Sequence, residues 1–248
     1  MVKLEKIFKP DFEYDLLRIG SNHDGGYLIE KNSLIYSDFL MSFGVSTNWD
    51  FEKDFIKKNK VPLIAFDGSV NKEFWNLKKK DALIRLKKLS ISKLIEFYII
   101  KYKFDKFFNN HNFVSKFISS KLPNSLTFNE ALNLCNGNNI FFKIDIEGSE
   151  YEILNDIIEN QKKINGLAIE LHDFNQNKEI VIKFIKKFNL KLVHTHVNNY
   201  DLINSDCIKT IELSFSRKPL ILGEFKKLPH VLDSPNNKKK DELIINFD

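Results

Sequence analysis

Residues 141–154 read FFKIDIEGSEYEIL. Phe141 to Ile146 is an apolar run whose only charges are Lys143 and Asp145. Its length and its bulky, β-branched residues predict a buried strand. Glu147 and Gly148 then turn the chain. SEYEILNDIIEN follows at helical spacing, with Ile153 and Ile157, Leu154 and Ile158 on one apolar stripe. Asp145 and Glu147 thus stand where a buried strand ends and a helix begins. Two readings are open for them. Acids are favoured in a first helical turn, so Glu147, Ser149 and Glu150 could serve as caps, as could Asp145. Asp145 and Glu147 also point the same way if the strand continues through both. Two like charges on one face need a cation, a proton or solvent.

The same unit recurs on either side. Residues 38–43 read as a strand and 44–48 as a tight loop. FEKDFIKKN reads as a helix with Phe51 and Phe55 on one face. VPLIAFD is a short buried strand ending in Asp67. TFNEALNLC is a short helix, INGLAIELH a strand, KEIVIKFIKKFN a helix, LKLVHTHV a strand and CIKTIELSFS another. Alternation at this spacing predicts a mostly parallel sheet covered on both faces. The last two strands have no helix between them, so the final one is expected to run antiparallel. Near the N-terminus, RIGSNHDGGYLIE predicts a turn around Gly25 and Gly26 that leads into a short strand. SPNNKKKDE reads as a loose basic segment, and ELIINF as a docked strand.

The 248 residues suit one domain over 1–248. Residues 72–120, with neither glycine nor proline, read as a helical insertion or lid within it. A short strand near Ala82–Leu86 is an alternative there. The part around LIEFYIIKYKFDKFF could pack on its own domain, dock a second subunit, or lie on a membrane surface.

Composition narrows the setting. At 43% hydrophobic and 29% charged residues the chain can build a packed core. No stretch approaches the roughly 18–20 apolar residues of a membrane span. The first residues show no signal-peptide pattern, and two cysteines are too few for a disulfide framework. A cytoplasmic setting is expected. The net charge of +5 comes mostly from lysine. Without zinc-finger spacing, an RNA-recognition signature or an arginine cluster, nucleic acid is not expected as a partner.

In an open parallel sheet, ligands bind beyond the carboxyl ends of the strands. Gly44 and Ser46 stand at the first such end, as a nucleotide loop or a plain turn. The GxGxxG fingerprint is absent. Asp67 could accept ribose hydroxyls or cap its loop. His172 and His196 close two later strands. With Asp145 they make a general-base site or a site for a divalent metal. His194 shares a face with His196 and competes for its role. Asp173, Asn198 and Asn199 bring short polar groups that could read hydroxyls, beside Glu147. His111 and His230 read as structural or exposed, and His23 beside Asp24 is left open.

KIDIEGSEYEIL resembles the signature of FkbM-type methyltransferases, and RIGSNHDGGYLI and HTHVNNY resemble its branch with an N-terminal DGGY element. The resemblance implies a Rossmann-like class I methyltransferase fold, with a seven-stranded sheet, and S-adenosylmethionine as cofactor. It implies cofactor contacts from Arg18, Asp24, Gly25, Gly26, Gly44, Ser46, Asp67, Thr127 and Asp145. It implies an acceptor side made by His172 and His196. A divalent metal (Fe, Mn, Mg or Zn) at Asp145, His172 and His196 is a second candidate cofactor. The implied reaction is O-methylation of a sugar or nucleotide-linked sugar, in surface-polysaccharide (capsule) biosynthesis. Ser42 departs from the pattern, since it stands where an acid is common. That departure keeps an alternative open: a catalytically silent binding or scaffold module.

Overall fold

The computed structural model describes residues 1–86, 91–200 and 207–248. Residues 87–90 of the expected insertion, and Asp201 of the NNYD turn, lie outside the described residues. Seven strands build the central sheet. They are β1 (Phe39–Phe43), β2 (Leu63–Phe66), β3 (Asn112–Val114), β4 (Ile140–Ile144), β5 (Ile164–Leu171), β6 (Lys191–Val197) and β7 (Ile211–Ser216). Their order across the sheet is 6-7-5-4-1-2-3. Strands β1 to β5 pair in parallel, and β7 runs antiparallel to both β5 and β6. This is the Rossmann-like class I methyltransferase arrangement.

The strands alternate between two cores. Phe39, Met41 and Phe43 of β1, and Ile140, Phe142 and Ile144 of β4, face one of them. Leu40 and Phe141 face the other, with Leu63 and Ala65 of β2. Both faces are apolar because helices cover both. These include α1 (Asp50–Lys58) on one side of the chain's path, then α2 (Lys72–Leu86) and α3 (Ile91–Phe108). Beyond them come α4 (Phe128–Leu132), α5 (Glu150–Glu159) and α6 (Phe174–Lys187).

Three expectations change. Residues 82–86 are helical and not a strand. Strand β3 lies inside the segment read as helical, because three residues are too few to show a period of two. The basic tail is also not loose. Asn236 is buried and donates to Glu212, while Asn237 N–H donates to Asn199. Residues Ile245–Phe247 pair in parallel with Val2–Leu4, so the two ends of the chain are joined. A hairpin, Leu16–Gly20 with Gly26–Glu30, packs Ile19, Tyr27 and Ile29 into the second core, and its turn end reaches the carboxyl edge, where Tyr27 meets Glu170. No helix among the described residues is long and apolar enough to cross a membrane.

Candidate active site

The sheet order reverses between β1 and β4, and the chain leaves a crevice there. Gly44 follows β1 with φ +80°, and a Cβ there would stand 1.6 Å from the Asp145 carbonyl oxygen. Only glycine fits. The loop it begins is held by Asp67, whose Oδ2 accepts from Val45 N–H at 2.9 Å and Ser46 N–H at 2.6 Å. Its Oδ1 accepts from the backbone and the hydroxyl of Ser69, at 2.8 and 2.6 Å. All four acceptor positions of Asp67 are therefore engaged within the protein. Ser42 lies deeper, donating to the buried carboxylate of Glu52.

The crevice encloses a cavity of about 420 Å³. Gly44 to Asn48, Asp67 to Ser69, and Asp145 form its polar side. Phe117, Ile118 and Leu122 form an apolar wall. Asp24 and Gly25 close it from the hairpin turn. Asn48 ties that turn to the loop, donating to Asp24 O at 3.1 Å.

A second, polar cleft of about 210 Å³ shares Asp24, Asp145 and Glu147 with the first. Glu170, His172, Asn198, Tyr200 and Thr210 complete it. Here His172 is fixed from behind. Its Nδ1 lies 3.0 Å from Oε1 of Glu150, a residue with no exposed surface. Its Nε2 faces Glu147 at 3.5 Å, Glu170 at 3.9 Å and Asp145 at 4.0 Å. Asp145, Glu147 and His172 bring their ligand atoms within 4.8 Å of one another, close enough to hold a metal ion together. Glu147 adopts φ +53°, a left-handed conformation uncommon for glutamate, as part of the turn that aims it at His172.

The charges in this cleft are mutually dependent. Burial pulls the His172 pKa down, but Glu150, Glu170 and Asp145 outweigh it and raise it to about 9. Burial, with Asp145 and Glu212, pushes Glu170 well above the carboxylate range. Tyr27 donates to Glu170 at 2.9 Å and Asn198 donates at 3.2 Å. Lys143 is the one cation beneath the cleft among the described residues that contacts Asp145 at this depth. Its ammonium donates to Gly44 O at 2.6 Å and Asp145 at 3.3 Å. Burial lowers its pKa, yet Asp145, Glu52 and Glu170 raise it more.

The structure brings together Asp24, Gly25, Gly44, Ser46, Asp67, Asp145, Glu147, His172 and Asn198 around the two cavities. It does not bring in the rest. His196 is buried between Glu212 at 3.1 Å and Glu242 at 3.0 Å, so both ring nitrogens are engaged away from Asp145. Glu147, expected on the substrate side, stands in the metal-capable group where His196 was expected. Arg18 turns inward to the carbonyls of Ser21 and His23, and Gly26 packs against Ser21. Thr127 caps α4 in a capping box with Glu130. Asp173 precedes α6 with φ +48°, and Asn199 clamps the backbone of residues 237, 240 and 241. Sequence reading missed the Phe117 wall, and it gave no site role to Lys143, to Glu150, read as a cap, or to Glu170, read only as one of the polar strand ends. A lysine inside an otherwise apolar strand was the available signal for Lys143.

The acids around His172 favour its protonated form, which works against a general-base role and means that a cation at Nε2 would compete with a proton.

No family model matches the chain, and no curated protein matches it. Solved structures do. The METTL16 MTase domain is 13% identical with a TM-score of 0.41, over 72% of this chain and 59% of that one. An rRNA methylase from Streptococcus thermophilus is 12% identical with a TM-score of 0.40, over 75% and 92%. The 23S rRNA methyltransferase ErmE is 11% identical with a TM-score of 0.40, over 75% and 64%. The chain thus spans less than two thirds of the METTL16 domain. Likeness this distant bears on fold alone. The resemblance to FkbM-type enzymes is not upheld, since no family model matches the chain. The expected exclusion of nucleic acid is not upheld either: the solved structures similar to this chain include two enzymes named for rRNA.

Proposed function

We propose that the chain is an S-adenosylmethionine-dependent methyltransferase acting on an acceptor oxygen. The observation that carries this reading is the pair of cavities joined at Asp145. The larger, at about 420 Å³, has the size of a small-molecule cofactor site. Its glycine-floored loop, its apolar wall for a flat base and its acidic mouth for a cationic ligand fit S-adenosylmethionine. Bound there, the cofactor supplies a methyl group already activated on a sulfonium. The protein's task is then to hold an acceptor in line with it. Asp67 is fully engaged, so a ribose hydroxyl would reach it by displacing the Ser69 hydroxyl.

The smaller cleft is the acceptor side. Asp145, Glu147 and His172 would hold a divalent cation there, with Glu170 beside them. The cation would lower the pKa of an acceptor hydroxyl. The donor set of one imidazole and two carboxylates suits Mn, Fe or Zn, with Mg as a harder alternative. His172 would bind through Nε2, its Nδ1 proton held by Glu150, an arrangement common behind metal-bound histidines. The cleft is small and rimmed by Asn198, Thr210 and Glu170, which suits a hydroxyl-rich acceptor such as a sugar. The surface-polysaccharide setting rested on family resemblance and falls with it.

Calorimetric titration with S-adenosylhomocysteine tests the first part. We expect saturable binding below about 100 μM, within the range usual for enzyme ligands. No binding at millimolar ligand would sink the reading and favour a silent module. Chelation tests the second part: turnover unchanged by EDTA would remove the cation and leave methyl transfer standing.

A further inference from the structure

Helix α3 is apolar on two sides. Its inner side packs into the domain, where Phe104 meets Trp49, Trp75 and Phe113. Its outer side carries Ile91, Ile95, Tyr98, Ile99 and Tyr102, each between 46 and 65% exposed. These positions repeat at helical spacing and form one stripe along a helix about 27 Å long. The adjoining α2 also exposes two large apolar residues, Leu77 and Ile84, two turns apart. A soluble domain seldom leaves a row of large apolar side chains in water, and such a row marks a surface with a partner.

The charge around the stripe selects the partner. Residues 72–106 hold eleven lysines and arginines against four acids, whereas the whole chain nets only +5. Three of the acids, Asp81, Glu96 and Asp105, are already paired with Arg85, Lys93 and Lys101. Lys103 and Lys106 of α3 follow Ile99 and Tyr102 by four residues and so stand along the apolar row. A second copy of the chain would set this positive segment against itself. RNA would gain little from Ile91, Ile95 and Ile99, which offer neither a ring face nor a hydrogen bond. An anionic lipid surface satisfies both properties at once. Aliphatic side chains enter the acyl boundary, tyrosines sit at the headgroup level, and lysines meet lipid phosphates.

We propose that α3 docks on an anionic membrane surface, lying in its plane with Ile91, Ile95, Tyr98, Ile99 and Tyr102 inserted. The helix lies on the bilayer, since it is not apolar enough to cross it. This inference is independent of the reaction performed at the sheet edge.

Vesicle flotation of the full chain tests it. The probes are vesicles of phosphatidylcholine alone and of phosphatidylcholine with about one third phosphatidylglycerol. Binding to the anionic vesicles should be at least about tenfold tighter, and 0.5 M salt should release most of it. The double variant I95E/I99E should lose at least about tenfold in binding, with far-UV circular dichroism unchanged. K103Q/K106Q should weaken binding to anionic vesicles only. Three outcomes would overturn the proposal. The first is no flotation with anionic vesicles. The second is equal flotation of I95E/I99E. The third is a dimer in sedimentation, or an RNA gel shift, that this variant abolishes while vesicles go unbound.

Discussion

Oε1 of Glu150 lies 3.0 Å from Nδ1 of His172, across the turn that joins β4 to α5 and the end of β5. The same carboxylate accepts from the backbone of Ile146 at 3.0 Å and Gly148 at 2.9 Å. One buried acid thus fixes both the shape of the strand-to-helix turn and the orientation of the imidazole. Glu147 is carried on that turn. Removing the charge at Glu150 should therefore loosen the cation site without emptying the cofactor cavity. We expect Glu150→Gln to weaken Mn²⁺ binding by about 10–100-fold, the range typical for groups behind metal ligands. S-adenosylhomocysteine binding should change little. Calorimetry with each ligand checks this, and unchanged Mn²⁺ affinity would refute the role given to Glu150.

Gly44 should tolerate no side chain. Its φ of +80° is strained for other residues, and a Cβ would meet the Asp145 carbonyl at 1.6 Å. Gly44→Ala should cost about 2 kcal/mol or more in urea unfolding, from strain and the backbone shift together. It should also reduce S-adenosylhomocysteine affinity by more than about tenfold. Normal affinity in the variant would mean that the loop does not shape the cofactor site.

Lys143 balances the acids around it. Its buried ammonium contacts Asp145, and Glu52 and Glu170 act on it from further away. Lys143→Met removes the cation while keeping the volume, and leaves those acids uncompensated. Breaking a buried pair in this way costs about 3–5 kcal/mol. Chemical denaturation should show that loss. A variant as stable as the parent would place the balance elsewhere.

The C-terminal segment should respond to acid. Asp233 accepts from His194 at 2.9 Å and is almost wholly buried. Burial alone would raise its pKa, but His194 holds it down to about 2. The folded value lies below the unfolded one of about 3.9. The contribution is therefore complete above about pH 4 and is lost as pH falls through 2. It amounts to about 2–3 kcal/mol, by the linkage between a shifted pKa and stability. Asp233→Asn should lower stability at pH 7 by about that much and flatten the acid limb of the stability profile. Thermal melts between pH 2 and 7 decide it, and an unchanged acid limb would exclude Asp233 as its source.

Much of this was legible in the chain. FFKIDIEGSEYEIL announced a strand, a turn and a helix because a short apolar run gave way to a period of 3.6 within fourteen residues. The absence of a helix before CIKTIELSFS foretold an antiparallel β7, since no parallel crossover could form there. Asp145, Glu147 and His172 could be named because strand ends in such a sheet share one edge.

What only the tertiary structure decided is which polar groups meet. His172 and His196 each end or nearly end a strand, and the sequence offers both for the acceptor side. β6 lies at the sheet's margin, beyond β7, under the C-terminal segment. His196 is therefore drawn to Glu212 and Glu242, the second of which lies 46 residues away in sequence. Glu150 looked like a first-turn acid and is instead the support of His172. Local patterning fixes a residue's element and face, because those depend on neighbours along the chain. Its partner depends on strand order and on distant loops, and these exist only once the sheet has closed.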